Sequence, residues 1–307
     1  MNSAHQSTLN STIGRAHPWL RANQALSSLA PPIAAVIAER LFTTVIRSPV
    51  PVRERAWAAH AIETSFSSPH GRLAGWIWGN GPRTVLLVHG WGGRGLQMGA
   101  FAAPLADAGF RVVAFDGPSH GASPGRRANL FKLTEALVAV AHELGTISAI
   151  VGHSLGTAQV LLASSRGELD PAAFVAVAPM GDTRTMAAWF GRMTGFSPSV
   201  IKRMRHRLER RFDFSWDDVE PTRLGAGMRA ETLVIHDRND SELPWTEAEN
   251  LARSIPSSRV HFTNGLGHRR ILRDRGVVEI TAGFVARRCA EPEATTKAIR
   301  HDRAPAA

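Results

Sequence analysis

Residues 149–163 read AIVGHSLGTAQVLLA, and this stretch decides the fold. An apolar run typical of a buried strand ends at Gly152, and a run typical of a helix begins after Ser154. Glycines two residues on either side of the serine let neighbouring backbone pass close to it, so a strained strand-to-helix turn can hold the hydroxyl outward. This Gly-x-Ser-x-Gly pattern predicts that Ser154 is a nucleophile rather than an ordinary turn residue.

Short apolar, β-branched runs alternate with helical patterns on both sides of this turn. A hairpin of two runs, AIETSFSS and GRLAGWIWGN, precedes the alternation. The strand-like runs that follow it are TVLLVHG, RVVAFDGP, SAIVGHS, FVAVAPM, TLVIHD and VHFTNG. Apolar strands separated by helices predict an α/β fold, with a mostly parallel sheet and helices on both faces.

The alternation divides the chain into a core and three segments outside it. Residues 57–180 and 232–290 hold the predicted core. Residues 1–56 form a predicted N-terminal helical extension. Residues 181–231 contain helical patterns without a strand and are too long for an ordinary crossover, so they predict a helical lid inserted in the core. Residues 291–307 have the composition of a disordered tail.

An amphipathic helix is predicted within the extension, where the sequence reads PPIAAVIAERLFTTVIRSP. Apolar side chains recur there at helical spacing, at Ile33, Val36, Ile37, Leu41, Val45 and Ile46. Glu39 and Arg40 are assigned to the opposite side. We therefore expect the apolar side of this helix to pack on the main domain and the charged side to face water.

The formal net charge is +10, and arginine supplies nearly all of the positive charge because the chain has only three lysines. A basic chain raises the question of nucleic-acid binding, which requires clustered cations beside stacking aromatics or a recognisable binding motif. The chain lacks zinc-finger spacing, an aromatic sheet motif and any tyrosine. We therefore expect a solvated, arginine-rich surface and no nucleic-acid partner.

The compartment is predicted from cysteine use and from the absence of targeting patterns. Cys289 is the only cysteine, which excludes an intrachain disulfide and a cysteine-based metal cluster. The first thirty residues lack the charged start and apolar run of a signal peptide, and no stretch approaches the roughly 20 apolar residues that span a bilayer. These features predict a cytoplasmic protein without a membrane span, and they leave the oligomeric state open.

A serine nucleophile needs a base, and the base needs a carboxylate that orients it. The run TLVIHD and the loop after it hold Asp237 and Asp240, and His268 follows VHFTNG just before the last helical pattern. Asp240 and His268 are the predicted pair. Asp237 and Asp182 remain open as alternatives for the carboxylate, and His261, inside a strand, is the alternative for the base.

Four motifs stand at predicted strand ends, in the order VHGWGG, GHSLG, HDRNDSELP and GLGHRRIL. They are similar to the oxyanion loop, nucleophile turn, acid loop and histidine loop of the α/β-hydrolase fold superfamily. Residues 57–289 thus resemble the lidded esterase and lipase-like members of that superfamily. The resemblance implies hydrolysis of a small-molecule ester, thioester or amide through an acyl-enzyme intermediate, without a metal or a cofactor.

The resemblance also implies a role for each residue of the site. Ser154 attacks the substrate carbonyl, and His268 accepts and then returns the proton. Asp240 holds the imidazole in the required tautomer. The backbone N–H groups of Trp91 and Leu155 form the expected oxyanion hole.

The predicted lid contains an amphipathic helix, SPSVIKRMRHRLERRF. Its apolar stripe comprises Ile201, Met204, Leu208 and Phe212. Arginines expected to face water lie mostly on the other side, at Arg203, Arg207, Arg210 and Arg211. Because lids of this fold sit over the strand ends, Met204 and Leu208 are predicted to line a substrate pocket for a hydrophobic acyl group.

Two other classes of protein remain open. GWGGRG, residues 90–95, has the Gly-x-Gly-x-x-Gly spacing of a dinucleotide-binding loop, and Asp116 ends the next strand about 20 residues later. An oxidoreductase of that kind leaves Ser154, Asp240 and His268 without a role, and the hairpin before the first parallel strand is foreign to it. The second alternative is a catalytically silent binding protein, because a fold does not determine a function.

Overall fold

One sheet of eight strands runs through the computed structural model, which describes residues 18–290. The strands are β1 (Ile62–Phe66), β2 (Leu73–Trp78), β3 (Arg83–Val88), β4 (Phe110–Phe115), β5 (Ile147–His153), β6 (Ala173–Val177), β7 (Glu231–Asp237) and β8 (Ser258–Thr263). Their order is β1-β2-β4-β3-β5-β6-β7-β8, and only the pairs β1–β2 and β2–β4 are antiparallel. The predicted hairpin and mostly parallel sheet are confirmed, and the carboxyl ends of β3 to β8 lie at one edge.

The described residues contain twelve α-helices, which connect or flank the strands. They are α1 (Pro18–Leu29), α2 (Pro31–Thr43), α3 (Val52–Ala58), α4 (Ala102–Asp107), α5 (Leu130–Leu144), α6 (Leu155–Ser165), α7 (Thr183–Thr194), α8 (Pro198–Phe212), α9 (Pro221–Gly225), α10 (Trp245–Ser254), α11 (Gly267–Arg270) and α12 (Arg275–Arg288). Short 3-10 helices lie at Gly95–Phe101, Trp216–Val219 and Ile271–Arg273.

Helices cover both faces of the sheet because successive strand residues point to opposite sides. Leu86 and Val88 of β3 belong to a buried cluster that also contains side chains of α5, α6 and α10. Val85 and Leu87 belong to the cluster on the other face, with side chains of α4 and α12. Burying each such side chain contributes roughly 1.5–3 kcal/mol, so the core holds the strand ends in fixed positions.

The segment between β6 and β7 contains α7, α8, a 3-10 helix and α9, and it has no strand among its described residues. α8 begins at Pro198, and the Ser197 hydroxyl before it accepts the Val200 N–H at 3.4 Å. The helix ends where Asp213 takes a positive φ of 50°. The function of this segment as a lid and the domain boundaries stay predictions.

α2 packs against α8 through a face of small side chains. Ala34, Ala35 and Ala38 are buried in one cluster with the apolar stripe of α8. Ile201, Met204 and Leu208 of that stripe lie in the cluster, together with Val200, and half-buried Phe212 packs against it. Because alanine adds little to the helix surface, the two helix axes can approach closely along this face.

The predicted orientation of α2 is only partly right: Arg40 is exposed and Ile37 packs on the buried cluster, but other residues are reversed. Ile33 and Leu41 are 58% and 46% exposed, whereas Glu39 is buried. The Glu39 carboxylate accepts hydrogen bonds from Arg207 Nε at 2.8 Å and Arg211 Nη1 at 2.7 Å, so two α8 arginines are ion-paired rather than left to water as expected. The sequence pattern misled because the partners of Glu39 lie 168 and 172 residues away.

The described part of the extension also contacts the core. The Arg94 guanidinium forms an ion pair with buried Glu54 and donates to the Ser48 carbonyl at 2.9 Å. The Val45 N–H donates to the Arg126 carbonyl at 3.0 Å. No helix in the described part of the chain has the length and apolar character needed to cross a membrane. The predicted tail, 291–307, and the first seventeen residues lie outside the described residues.

Candidate active site

Ser154 occupies the single position between the last residue of β5 and the first residue of α6. Its backbone has φ 51° and ψ −120°, a positive φ that residues with a Cβ rarely adopt. Every residue from 149 to 163 is buried except Ser154, which is half-buried. The strained turn therefore presents one side chain, the serine hydroxyl, outside a closed core.

Two glycines allow other backbone to approach this turn. A Cβ on Gly156 would lie 2.4 Å from the Val88 carbonyl oxygen, and a Cβ on Gly90 would lie 2.9 Å from the Ser154 Cβ. Both distances are too short for non-bonded atoms, so neither position accepts a side chain. Gly156 brings the first turn of α6 against the end of β3, and Gly90 brings the loop after β3 against the serine.

The loops after β7 and β8 bring the predicted acid and base together. His268 Nδ1 lies 2.8 Å from Asp240 Oδ2. An ionised carboxylate only accepts hydrogen bonds, so Nδ1 carries the proton and donates it to Asp240. In the neutral imidazole Nε2 is then the unprotonated nitrogen, which is the atom a general base uses.

Asp240 is held in its ionised form although its side chain is fully buried. Burial alone would raise the pKa of this carboxyl, but hydrogen bonds from His236 and His268 outweigh it and hold the pKa well below its ordinary value. The other carboxylate oxygen accepts the N–H groups of Glu242 at 2.7 Å and Leu243 at 3.0 Å. The loop therefore fixes the carboxylate in one orientation toward the histidine.

Asp237, the first alternative for the carboxylate, serves a different purpose. Its carboxylate accepts the Thr263 hydroxyl at 2.7 Å and the Leu266 N–H at 3.0 Å, which joins the end of β7 to the loop after β8. It also accepts the Asn239 N–H at 2.9 Å. Asp237 thus shapes the two loops that carry Asp240 and the histidine, and its own oxygens are occupied.

The remaining alternatives are also placed elsewhere. Asp182 is the N-cap of α7, where its carboxylate accepts the Arg184 N–H and the Thr185 hydroxyl, both at 2.7 Å. His261 lies inside β8 and pairs with Ile235 in the sheet. Neither residue occupies the position that the Asp240–His268 pair takes beside the carboxyl end of β5.

Two further histidines contact this pair, and the sequence analysis predicted neither contact. His153 Nε2 donates to the His268 backbone carbonyl at 3.0 Å, and the two rings lie 4.8 Å apart. Burial and then the neighbouring His268 lower the pKa of His153 well below its ordinary value, so it is a neutral donor. His236 Nε2 lies 3.2 Å from the Leu243 carbonyl and 3.4 Å from Asp240 Oδ2. The signals in the sequence were the position of His153 directly before Ser154 and the four-residue spacing from His236 to Asp240.

The loop after β3 is ordered by His89. Its Nδ1–H donates to the Gly90 carbonyl at 2.7 Å, and its Nε2 accepts the Gly117 N–H at 2.9 Å. Burial lowers the pKa of His89 to about 3, so the ring stays neutral and keeps this pair of hydrogen bonds. Trp91 follows this fixed turn directly and lies on the segment that reaches Ser154.

Leu155 provides the second candidate N–H group for an oxyanion hole. It is the first residue of α6, and the first N–H groups of a helix have no partner within the helix. The two predicted donors, on Trp91 and Leu155, thus belong to the two segments that meet at Ser154. A helix N-terminus also carries a partial positive charge, which favours a developing anion there.

Asp116 does not have the position that a dinucleotide-binding protein requires. It is 1% exposed, and its two oxygens accept the N–H groups of Gly95 and Ala122, each at 2.7 Å. Gly95 is itself the last glycine of the GWGGRG stretch. The carboxylate that would bind a ribose hydroxyl is therefore buried under its own loop, which removes the main support for the oxidoreductase alternative.

The apolar side chains next to the serine turn come from several segments. The buried ones are Val45, Ala128, Leu133, Leu155, Ala158 and Met180, and the half-buried ones packed on them are Leu130, Met186 and Leu243. Met204 and Leu208 belong instead to the cluster against α2, and Met204 is 0% exposed. The structure does not bring these two predicted pocket residues to Ser154, because the α8 stripe faces α2.

Comparison with known proteins agrees with this fold. The sequence model of the alpha/beta hydrolase family matches residues 85–280, which include Ser154, Asp240 and His268. The chain belongs to the alpha/beta hydrolase family. Membership of this family supports hydrolase activity. Comparison with curated proteins gives no match.

Solved structures share the fold of this hydrolase at low sequence identity. An esterase of Pyrococcus furiosus is 17% identical, with a TM-score of 0.60 over 80% of this chain and 97% of that one. A bacterial membrane phospholipase A is 15% identical, with a TM-score of 0.60 over 94% of this chain and 100% of that one. The thioesterase domain of the curacin biosynthetic pathway is 16% identical, with a TM-score of 0.54 over 73% and 98%.

No group of three or more histidine, cysteine, aspartate or glutamate side chains in residues 18–290 is arranged to hold a metal ion.

Proposed function

We propose that this alpha/beta hydrolase is a serine hydrolase that cleaves carboxylic esters through an acyl-enzyme intermediate. The observation that carries the proposal is the 2.8 Å hydrogen bond from His268 Nδ1 to buried Asp240, formed at the sheet edge where Ser154 is the one accessible residue of its turn. A base oriented by a carboxylate beside a strained serine is the arrangement that nucleophilic catalysis needs.

Proton transfer assigns a role to each member of this trio. His268 Nε2 accepts the hydroxyl proton as Ser154 attacks the substrate carbonyl, and the same proton then goes to the leaving alcohol. The ionised Asp240 carboxylate stabilises the imidazolium that forms between these two steps. Water, deprotonated by His268 in the same way, releases the acid and regenerates Ser154.

The oxyanion of the tetrahedral intermediate is assigned to the backbone N–H groups of Trp91 and Leu155. Each such donor typically lowers the barrier by roughly 3 kcal/mol, because it is already oriented before the charge develops. The neutral His89, which fixes the turn before Trp91, supports this role by keeping the loop in one conformation.

The acyl group is assigned to the apolar cluster around Leu155 and Met180. Half-buried Met186 of α7 and Leu243 of the acid loop pack on this cluster, so they border the space next to the serine. We infer that α7 belongs to a lid formed by residues 181–231 and that a hydrophobic acyl chain contacts Met186. An ester is assigned rather than an amide because an alcohol is a better leaving group than an amine. A thioester, whose thiol leaves at least as readily, is the remaining alternative.

The test is covalent labelling with a fluorophosphonate, which reacts with an activated serine. We expect the wild-type protein to be labelled and Ser154→Ala to remain unlabelled. Ser164→Ala is the matched control, since Ser164 lies on α6, the helix that begins directly after Ser154, and is also half-buried. Labelling of Ser154→Ala at the wild-type rate would remove the proposed nucleophile, and with it the mechanism.

A second measurement addresses the bond that is cleaved. Matched ester, thioester and amide substrates with one acyl group would be compared by kcat/KM. We expect the ester and thioester to be hydrolysed and the amide to be much slower, because its leaving group is poorer. Preference for the amide would contradict the esterase assignment while leaving the Ser154 nucleophile in place.

A further inference from the structure

Exposed hydrophobic side chains are concentrated in one part of the described chain. Twelve large hydrophobic residues are exposed, and six of them lie within residues 29–52. These six are Leu29, Ile33, Leu41, Ile46, Val50 and Val52. Single exposed hydrophobic residues are ordinary on a protein surface, but such a concentration in a short segment indicates a surface that binds something apolar.

The geometry of α2 explains why these side chains are exposed. Ala34, Ala35 and Ala38 face α8, and the helix period places Ile33, which is exposed, on the opposite side. Leu41, near the end of α2, borders the alanine side and is also exposed. α2 is therefore apolar on two sides, of which only the alanine side is packed against α8. The larger aliphatic side chains, which would contribute most to burial, are the ones left exposed.

The charges around this segment have a single sign. Between residues 18 and 61 the only acidic side chains, Glu39 and Glu54, are buried and paired with arginines. The exposed side chains among Asp, Glu, Lys and Arg are Arg21, Arg40, Arg47, Arg53 and Arg55. The segment therefore shows the solvent aliphatic groups and positive charge, and no negative charge from Asp or Glu.

Two more arginines extend this positive charge beyond the segment. Thr44 forms a β-bridge with Arg127, and Val45 binds the backbone of Arg126. Both arginines are exposed. Like Arg40, they form no ion pair within residues 18–290. We use the name N-terminal surface for the six exposed hydrophobic residues of 29–52 together with Arg40, Arg126 and Arg127.

We infer that the N-terminal surface docks the protein on an anionic lipid bilayer. Aliphatic side chains enter the boundary between headgroups and acyl chains, while arginines beside them bind anionic headgroups. A nucleic acid offers no apolar medium for isoleucine and leucine, and this surface lacks the stacking aromatics that bind single strands. A second copy would bring the same positive charges together, which opposes a symmetric interface here.

This surface is continuous with the candidate active site. A Cβ on Gly92 would lie 3.7 Å from the Ile46 carbonyl oxygen, so the end of the surface lies against the loop that carries Trp91. Trp91 is itself 38% exposed. Docking would hold this loop near the bilayer, but binding by the N-terminal surface does not depend on the proposed esterase activity.

The experiment is sedimentation of the full-length protein with vesicles. One vesicle contains phosphatidylcholine alone, and the other contains about 30 mol % phosphatidylglycerol, at low and at moderate salt. We expect binding to the anionic vesicle that weakens as salt is raised. Absence of binding to the anionic vesicle, or equal binding to both vesicles, would overturn the inference.

Two pairs of variants locate the binding surface. Ile33→Glu combined with Leu41→Glu should lower the partition coefficient about tenfold or more, while Val260→Glu, an exposed β8 residue, should leave it within about twofold. Arg126→Gln combined with Arg127→Gln should lower it about 20-fold. Arg273→Gln combined with Arg287→Gln, which removes the same charge elsewhere, should have a clearly smaller effect.

Equal loss in a variant and its matched control would overturn the assignment to this surface. Light scattering on the same samples measures the oligomeric state, which tests whether a second copy of the protein binds this surface instead of a bilayer. If the wild-type protein is a dimer and the Ile33→Glu, Leu41→Glu variant is a monomer that retains its melting temperature, the surface binds a second copy and the bilayer inference is wrong.

Discussion

Asp240 and Glu39 are both buried carboxylates, and each is in contact with two basic side chains. Asp240 is bound by His268 and lies beside His236, whereas Glu39 is bound by Arg207 and Arg211. Histidine can be neutral and can exchange a proton near neutral pH, but arginine stays charged. A similar local arrangement therefore orients the proposed base in one region and joins two helices in the other.

The difference shows that the partner, rather than the carboxylate, decides the role of a buried acid. In the proposed mechanism the histidine has a second nitrogen available for proton transfer, and the acid orients the ring and stabilises its protonated form. Between α2 and α8 the partners have no proton to give, so their effect is on stability and on which face of α2 is buried. Four sets of variants test or extend this distinction.

The largest effect is expected for Asp240→Asn, which should lower kcat about 10⁴-fold because the amide favours the wrong histidine tautomer. Steady-state hydrolysis of a p-nitrophenyl ester measures it, and the melting temperature checks folding. Asp237→Asn is the control, since that carboxylate binds loop groups instead, and kcat of its folded fraction should fall less than about tenfold. A larger loss in Asp237→Asn would contradict the assignment of Asp240.

Substitutions in the Glu39–Arg207–Arg211 contact should lower the free energy of unfolding. Removing the two arginines should cost more than removing the glutamate charge. Arg207→Gln combined with Arg211→Gln leaves Glu39 buried without a cation and should lower the free energy of unfolding by about 3–5 kcal/mol. Glu39→Gln leaves two partly exposed arginines without an anionic partner, so about 1–2 kcal/mol is expected. Urea unfolding measures both. The reverse order would mean that Glu39 is not held as an ionised carboxylate.

Asp116, unlike Asp240 and Glu39, accepts hydrogen bonds from backbone N–H groups and none from a histidine or arginine among the described residues. Its effect on stability should therefore depend on pH. Burial raises its pKa from 3.8 to about 6, so the folded protein binds this proton more tightly than the unfolded chain. Its contribution to stability is present below the unfolded pKa and is lost as pH rises through the folded pKa, by roughly 3 kcal/mol in all. The difference in free energy of unfolding between wild type and Asp116→Asn should fall by that amount between about pH 4 and pH 7. A constant difference would contradict the raised pKa.

The smallest effect concerns the acyl pocket. Met186→Ala or Leu243→Ala should shift the preferred chain length on an ester series, at roughly 1 kcal/mol per methylene. Met204→Ala is the matched methionine control, which should keep the wild-type profile but lower stability by about 2–5 kcal/mol because Met204 is core. If only Met204→Ala shifts the chain-length profile, the α8 stripe lines the acyl pocket and the assignment of Met186 and Leu243 is wrong.

Most of the sheet edge could be predicted because its constraints are local. The glycines around Ser154 determine its turn, and the alternation of strands and helices implies a parallel sheet whose carboxyl ends share one edge. The contacts of His153 and His236 could not be predicted, because no motif marks a residue that binds a backbone carbonyl or the far side of an acid. Those contacts become visible only when the positions of β5 and β7 within the sheet are known.

The orientation of α2 could not be predicted for a different reason. Its aliphatic residues form the stronger apolar pattern, and pattern alone places them inward. The structure buries the alanine side, where Arg207 and Arg211 stabilise Glu39. These partners are distant in the sequence, so no local pattern around Glu39 predicts them. The error carried over to Met204 and Leu208, since the α8 stripe they belong to is occupied by α2.

The separation of Glu39 from its partners also has a consequence for the order of folding. During synthesis α2 leaves the ribosome 168 residues before Arg207, so its alanine face and its carboxylate have nothing to bind while most of the sheet is made. Contacts of such long range form after local ones, because the loop must close first. α1 and α2 are therefore expected to be among the last helices to gain hydrogen-exchange protection on refolding, after the central strands.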